Sequence, residues 1–173
     1  MKTIFKSIFL LILLPTFSAF SQTVPVNDSL LDRMVGKWIL QGTIAGQETT
    51  HDIIAYWVLG HQYIQIKETS REKDSEGKPS YDAIVFITWE QKLSQYTCLW
   101  LDNTGNGGLS PQAAGHANKS GDNLEFVFRI SDSSTFHTTF LYDKKSDSWQ
   151  WQMDSKENNV MQPFARVKLT KRK

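Results

Sequence analysis

From Gly36 almost to the last residue, apolar side chains recur at every second position, in short runs separated by stretches rich in Gly, Asn, Asp and Ser. A period of two puts alternate side chains on opposite faces of a strand, so this pattern predicts an all-β chain. The candidate strands are Lys37 to Ile44, Thr49 to Leu59, Gln62 to Arg71, Tyr81 to Trp89, Gln95 to Leu101, Leu109 to Asn118, Asn123 to Ile130, Ser134 to Tyr142, Ser148 to Asp154 and Val160 to Thr170. Several separators, such as Gly60-His61, Ser120-Gly121-Asp122 and Asp132-Ser133, have the chemistry of tight turns. Short separators favour consecutive antiparallel pairing. About ten strands without an intervening helical pattern give a sandwich or an up-and-down barrel, and closure, which removes exposed edges, favours the barrel.

Alternation also assigns faces. Ala83, Val85, Ile87 and Trp89 share one face, and Trp149, Trp151 and Met153 lie opposite Gln150, Gln152 and Asp154. The run Ile53 to Leu59 is apolar on both faces, so its outer side leaves a homodimer open as a partner reading. Two loops exceed hairpin length. Glu72 to Ser80 is charged and reads as a solvated, flexible tip, and Asp102 to Gly108 is polar and glycine-rich.

Ahead of the strands, Leu30, Leu31, Met34 and Val35 recur at helical spacing, with Asn27, Asp28 or Ser29 as the cap, which predicts a short N-terminal helix over Ser29 to Val35. Earlier still, Lys2 and Lys6 precede the apolar run Ile8 to Leu14, and Ser18-Ala19-Phe20-Ser21 offers small residues at a cleavage position. Residues 1–21 read as a signal peptide cleaved near Ser21, leaving residues 22–173 as one domain that is secreted or periplasmic. The apolar core falls short of the ~20 residues a membrane span needs, so no span is expected after cleavage. Removing Lys2 and Lys6 takes the 19 Lys and Arg below the 18 Asp and Glu, which gives no basic excess for nucleic acid. Cys98 is the single cysteine; no disulfide forms within the chain, and its place in a strand reads as a small buried residue.

At Gly36-Lys37-Trp38 the chain resembles the calycin superfamily of lipocalins and fatty-acid-binding proteins. The ordered set Leu31 to Trp38, Trp57-Val58-Leu59-Gly60, Tyr63-Ile64, Trp89 and Trp100-Leu101-Asp102 is similar to a bacterial lipocalin-like family of unknown function. The resemblance implies a ten-strand barrel in which Gly36 and Trp38 close one end and Arg166 of the last strand stacks on Trp38. A cation over an indole contributes ~0.5 to 2 kcal/mol according to its desolvation. The related nitrobindin barrels hold haem through a His of the final strand, after a Pro; here the counterpart is Gln162-Pro163-Phe164, and Phe164 cannot ligate iron.

The four histidines, His51, His61, His116 and His137, form neither a His-x-His nor a His-Glu-x-x-His spacing, so no metal or other cofactor is expected. His51 shares a face with Ile53, Ala55 and Trp57 and is the histidine that lines the interior; His137 falls opposite Phe136, Thr138 and Phe140. No Ser lies in a Gly-x-Ser-x-Gly elbow, and Asn103 to Gly108 lacks the Gly-Lys-Ser/Thr ending of a phosphate loop. Glu125, between Leu124 and Phe126, reads as solvent-facing.

The stronger signal is aromatic. Trp57, Tyr63, Trp89, Trp100, Trp149 and Trp151, with His51, are the candidate cavity-lining residues. Such side chains either fill a small barrel or line an apolar pocket with a few polar handles. The function expected is binding of a small apolar or amphipathic ligand, with the loop Asp102 to Gly108 at its entrance. The alternatives are an enzyme with a lumenal His or Glu as acid or base, and an interaction barrel with a filled core. Clustering of His51 or Glu125 with a second ionisable group inside a cleft is the feature that favours the enzyme.

Overall fold

The computed structural model describes residues 25–105, 109–118 and 120–172. The signal peptide expected over residues 1–21, and residues 106–108 of the expected entrance loop, lie outside them. Ten antiparallel strands close into a barrel: β1 (Gly36–Ile44), β2 (Gln47–Val58), β3 (Tyr63–Ser70), β4 (Asp82–Glu90), β5 (Gln95–Asp102), β6 (Ala114–Ala117), β7 (Asn123–Arg129), β8 (Ser134–Asp143), β9 (Ser148–Glu157) and β10 (Val160–Lys171). Each strand pairs with its sequence neighbours, and β10 returns to β1. This is the up-and-down order that short turns dictate. The run expected over Leu109 to Asn118 is shorter than the alternation suggests, because Pro111–Ala113 forms a 3-10 turn ahead of β6.

The N-terminal helix predicted over Ser29 to Val35 is corrected to a single turn, α1 (Ser29–Asp32). Asp28 caps it, its carboxylate accepting from the backbone N–H groups of Leu30 and Leu31 at 2.8 and 3.1 Å. So short a segment gains too few internal hydrogen bonds to persist alone; the turn is held by burial of Leu30, Leu31 and Met34 under the barrel.

That end of the barrel is closely packed, with a void of only about 10 Å³ among Trp38, Trp149 and Trp151. Trp38, Tyr96, Phe126, Phe140, Trp149 and Trp151 are all fully buried, and the Trp38 indole donates to the Met34 carbonyl at 2.8 Å. Tyr96 donates its hydroxyl to Asp28 at 2.5 Å, tying α1 to β5. The expected stacking of Arg166 on Trp38 is not found. The β1–β10 register sets Trp38 opposite Lys171 and Arg166 opposite Thr43, near the other end of the strand. Parity reinforces the separation, since Ala165 and Val167 on either side of Arg166 are the buried ones. Lys171 places its ammonium 5.3 Å from the Trp38 ring centre, while Arg166 pairs with Asp154 at 2.6 Å.

One glycine is required by the closure. Gly42 has φ +146°, and a Cβ there would lie 2.3 Å from the Arg166 carbonyl oxygen. Only a residue without a side chain lets β1 and β10 approach so closely.

Candidate functional site

Toward the opposite end the inward positions become small or polar: Ser70 on β3 where Ile64 stands at the packed end, Ala83 on β4, Gly115 on β6 and Thr138 on β8. Side chains that do not reach the axis leave space, and a cavity of about 1150 Å³ opens there. This lies slightly above the ordinary range of ligand-site volumes. Tyr81, Trp100, Phe128, Phe136, Met153 and Phe164 supply its apolar surface. Gly115 makes one of these placements possible, because a Cβ at that position would meet the Phe128 ring at 2.8 Å.

One wall is polar. His51 of β2 and Glu68 of β3 are buried side by side, with His51 Nδ1 2.5 Å from Glu68 Oε1. The other ring nitrogen, Nε2, lies 2.8 Å from the Thr49 hydroxyl, which donates onward to Glu72 Oε2 at 2.9 Å. A hydroxyl has one proton. With that proton on the bond to Glu72, Thr49 accepts from His51, so Nε2 carries a hydrogen. A second proton lies between Nδ1 and Glu68, and the pair is neutral as a unit whichever atom holds it.

Burial pushes the Glu68 carboxyl above the usual range, opposed by the hydrogen bond and charge of His51 and assisted by Asp102. Its second oxygen, Oε2, is buried without a hydrogen-bond partner. Tyr81 stacks on the His51 ring, with centres 5.6 Å apart. Its hydroxyl receives the Trp100 indole N–H at 2.9 Å and leans toward Asp102 at 3.4 Å. Burial, then the fields of Glu68 and Asp102, raise the Tyr81 phenol, which keeps its proton.

Of the seven residues expected to line a cavity, His51 and Trp100 do so. Trp100 meets Trp151 edge-on at 6.0 Å, and Trp151 packs on Phe140 at 4.5 Å, forming the boundary between the hollow and packed halves. Trp149 belongs to the packed end. Trp89 packs edge-on against Tyr96, and Trp57 donates to Asp32 and stacks on His61 at 3.9 Å, both away from the cavity. Tyr63 is exposed on the outer face beside β2, because β3 turns Ile64 and Ile66 inward.

His137 and Glu125 are on the outside, as alternation predicts, but they meet there at 2.8 Å. His116 is held by Gln95 and Thr97 on the exterior. His51 is thus the one histidine among the described lining residues, and both its nitrogens are engaged, so it presents no lone pair to a haem iron or other metal. Among the described residues no group of three or more His, Cys, Asp or Glu is arranged to hold a metal ion.

Sequence reasoning missed Glu68, Glu72 and Tyr81 as lining residues and had Asp102 only as the start of the entrance loop. Glu68 was within reach of it, because it continues the inward parity of Ile64 and Ile66. Neither a family model nor a curated protein matches this chain.

Proposed function

We propose that this chain is a secreted or periplasmic, lipocalin-like barrel that binds a small amphipathic molecule in its half-hollow interior and releases it unchanged. The observation that carries this reading is the cavity of about 1150 Å³, apolar over most of its surface and polar along one wall. An aromatic-lined concavity with a few placed polar groups is the general form of a small-molecule site. The leader-like residues 1–21 support an extracytoplasmic setting, and the order of strands supports the lipocalin-like assignment.

A second reading, acid–base catalysis, draws on the clustering of His51 with Glu68 inside the cavity. A general base needs an available lone pair within reach of the proton it removes. Both His51 nitrogens are committed, so binding accounts for the site with fewer changes.

Titration with N-phenyl-1-naphthylamine, whose emission rises in apolar surroundings, tests the proposal. Saturable binding of one dye per chain is expected, and Met153→Trp, which narrows the cavity at its wall, weakens it several-fold. Non-saturable binding, or equal affinity in Met153→Trp, contradicts it.

A further inference from the structure

The polar wall is rich in acceptors and poor in free donors. Glu48, Glu68, Glu72 and Asp102 line the cavity, and among the described lining residues there is no Lys or Arg. The register Glu68 to Ala83 to Asp102 places two of these carboxyls in one row across three adjacent strands.

Four donors on this wall are spent within it. The Trp100 N–H goes to Tyr81, the Tyr81 hydroxyl to Asp102, the His51 Nε2 hydrogen to Thr49 and the Thr49 hydroxyl to Glu72. Asp102 accepts further from the Thr104 and Gly105 backbone at 2.8 and 3.0 Å, and Glu72 from the Thr50 backbone at 2.9 Å. Apart from His51, whose ring shares a proton with Glu68, these donors are neutral. The hydrogen bonds orient the Glu72 and Asp102 carboxylates; Glu72 also feels the charges of His51 and of Arg71, the latter paired with Asp52, and among the described residues neither carboxylate forms an ion pair with a Lys or Arg. Glu48, at the rim, is likewise held by the Thr43 hydroxyl at 3.0 Å.

Glu68 supplies an independent observation. It is 1% exposed, it lines the cavity, and its Oε2 accepts no hydrogen bond. Because the shared proton lies on the Oε1 side, Oε2 is an acceptor in either form of the pair. Buried acceptors are almost always satisfied, so an orphan at a cavity wall marks a place for a donor that the chain itself does not provide.

We propose that the cavity selects a cationic amphiphile, an amine whose ammonium group donates to Glu68 within the field of Glu72 and Asp102 and whose apolar body lies on Trp100, Phe128 and Met153. This rests on the reading of the cavity as a ligand site. An ammonium brings three donors and one positive charge, and the aromatic faces around it add cation–π attraction. A fatty acid brings the opposite charge to a wall whose described residues include no Lys or Arg to receive it. An alcohol supplies a donor without the charge.

Calorimetric titration with decylamine, decanol and decanoate, three probes with one chain length, separates these cases. The amine is expected to bind about tenfold or more tightly than the alcohol, and the carboxylate most weakly. Glu68→Gln and Glu72→Gln, the first nearly isosteric and the second at the rim, each narrow the ratio of amine to decanol affinity, and urea unfolding of each variant shows that it is folded. Equal affinities for all three probes, or an unchanged amine preference in both variants, overturn amine selection and leave the binding site standing. Tightest binding of decanoate also overturns it. Failure of all three probes to bind overturns both readings.

Discussion

Glu68 and His51 meet at 2.5 Å inside the barrel, with the carboxyl 1% and the imidazole 5% exposed. The same local pattern occurs on the outer surface. There His137 bonds Glu125 at 2.8 Å and Thr135 at 2.9 Å, as His51 bonds Glu68 and Thr49. The outer Glu125 side chain is 57% exposed, so water serves its remaining lone pairs. Burial is what distinguishes the inner pair, and burial leaves Glu68 Oε2 without a donor. A His–Glu contact on a barrel wall is therefore unremarkable by itself; its position beside a cavity gives this one consequences for binding.

The first consequence concerns pH. The folded-state pKa of Glu68 is raised, by burial first of all. A raised carboxyl contributes its stability fully below the ordinary carboxylate range and loses it as pH rises through the folded value. Wild type is expected to lose stability relative to Glu68→Gln as pH rises above the ordinary carboxylate range, measured by urea midpoints at constant ionic strength. A difference that does not change with pH, or one that grows in favour of wild type, contradicts the protonated buried pair.

Closure of the barrel depends on the approach at Gly42. Gly42→Val is expected to cost about 3 kcal/mol or more, because it combines an unfavourable φ with a collision against β10 backbone. Gly46→Ala, in the β1–β2 turn at φ +78° with open space around it, costs about 1 kcal/mol by the conformational term alone. Denaturant unfolding of both variants measures the gap, and equal costs would remove the steric argument.

Tyr96 anchors the N-terminal turn. Tyr96→Phe removes its buried hydrogen bond to Asp28 and is expected to destabilise the fold by about 1 to 3 kcal/mol. The dye affinity of the cavity stays within about twofold, since Tyr96 lies in the packed half. A large loss of dye binding with little loss of stability reverses this assignment.

Alternation made the strands legible because the wall of a barrel buries one side of every strand. Val85 and Ile87 turn inward for the same reason that Ile84 remains exposed. Register was less legible. Whether β10 sets Arg166 or Lys171 against Trp38 depends on pairing that no residue of β10 announces, and the observed answer puts Arg166 on the opposite face of the sheet from Trp38. The site was readable in part. His51 followed from parity, whereas the aromatic positions did not reveal which end they occupy. Trp149 and Trp100 both face inward on strands, yet one is core and the other cavity wall. The clearer signal was the run of small inward residues, Ala83, Gly115 and Thr138, where the barrel hollows out. The short helix failed because helical spacing over so few residues describes an apolar contact as well as it describes a helix.

The six tryptophans divide between the two halves of the barrel, and their indole N–H resonances report on each half separately. The most direct test is a titration of isotope-labelled protein with decylamine followed through those six signals. The account predicts that Trp100 shifts most, that Trp151 at the boundary follows with a smaller shift, and that Trp38, Trp57, Trp89 and Trp149 stay in place. Shifts led by Trp38 or Trp149, or no shift in any indole at saturating amine, would contradict a ligand site in the hollow half.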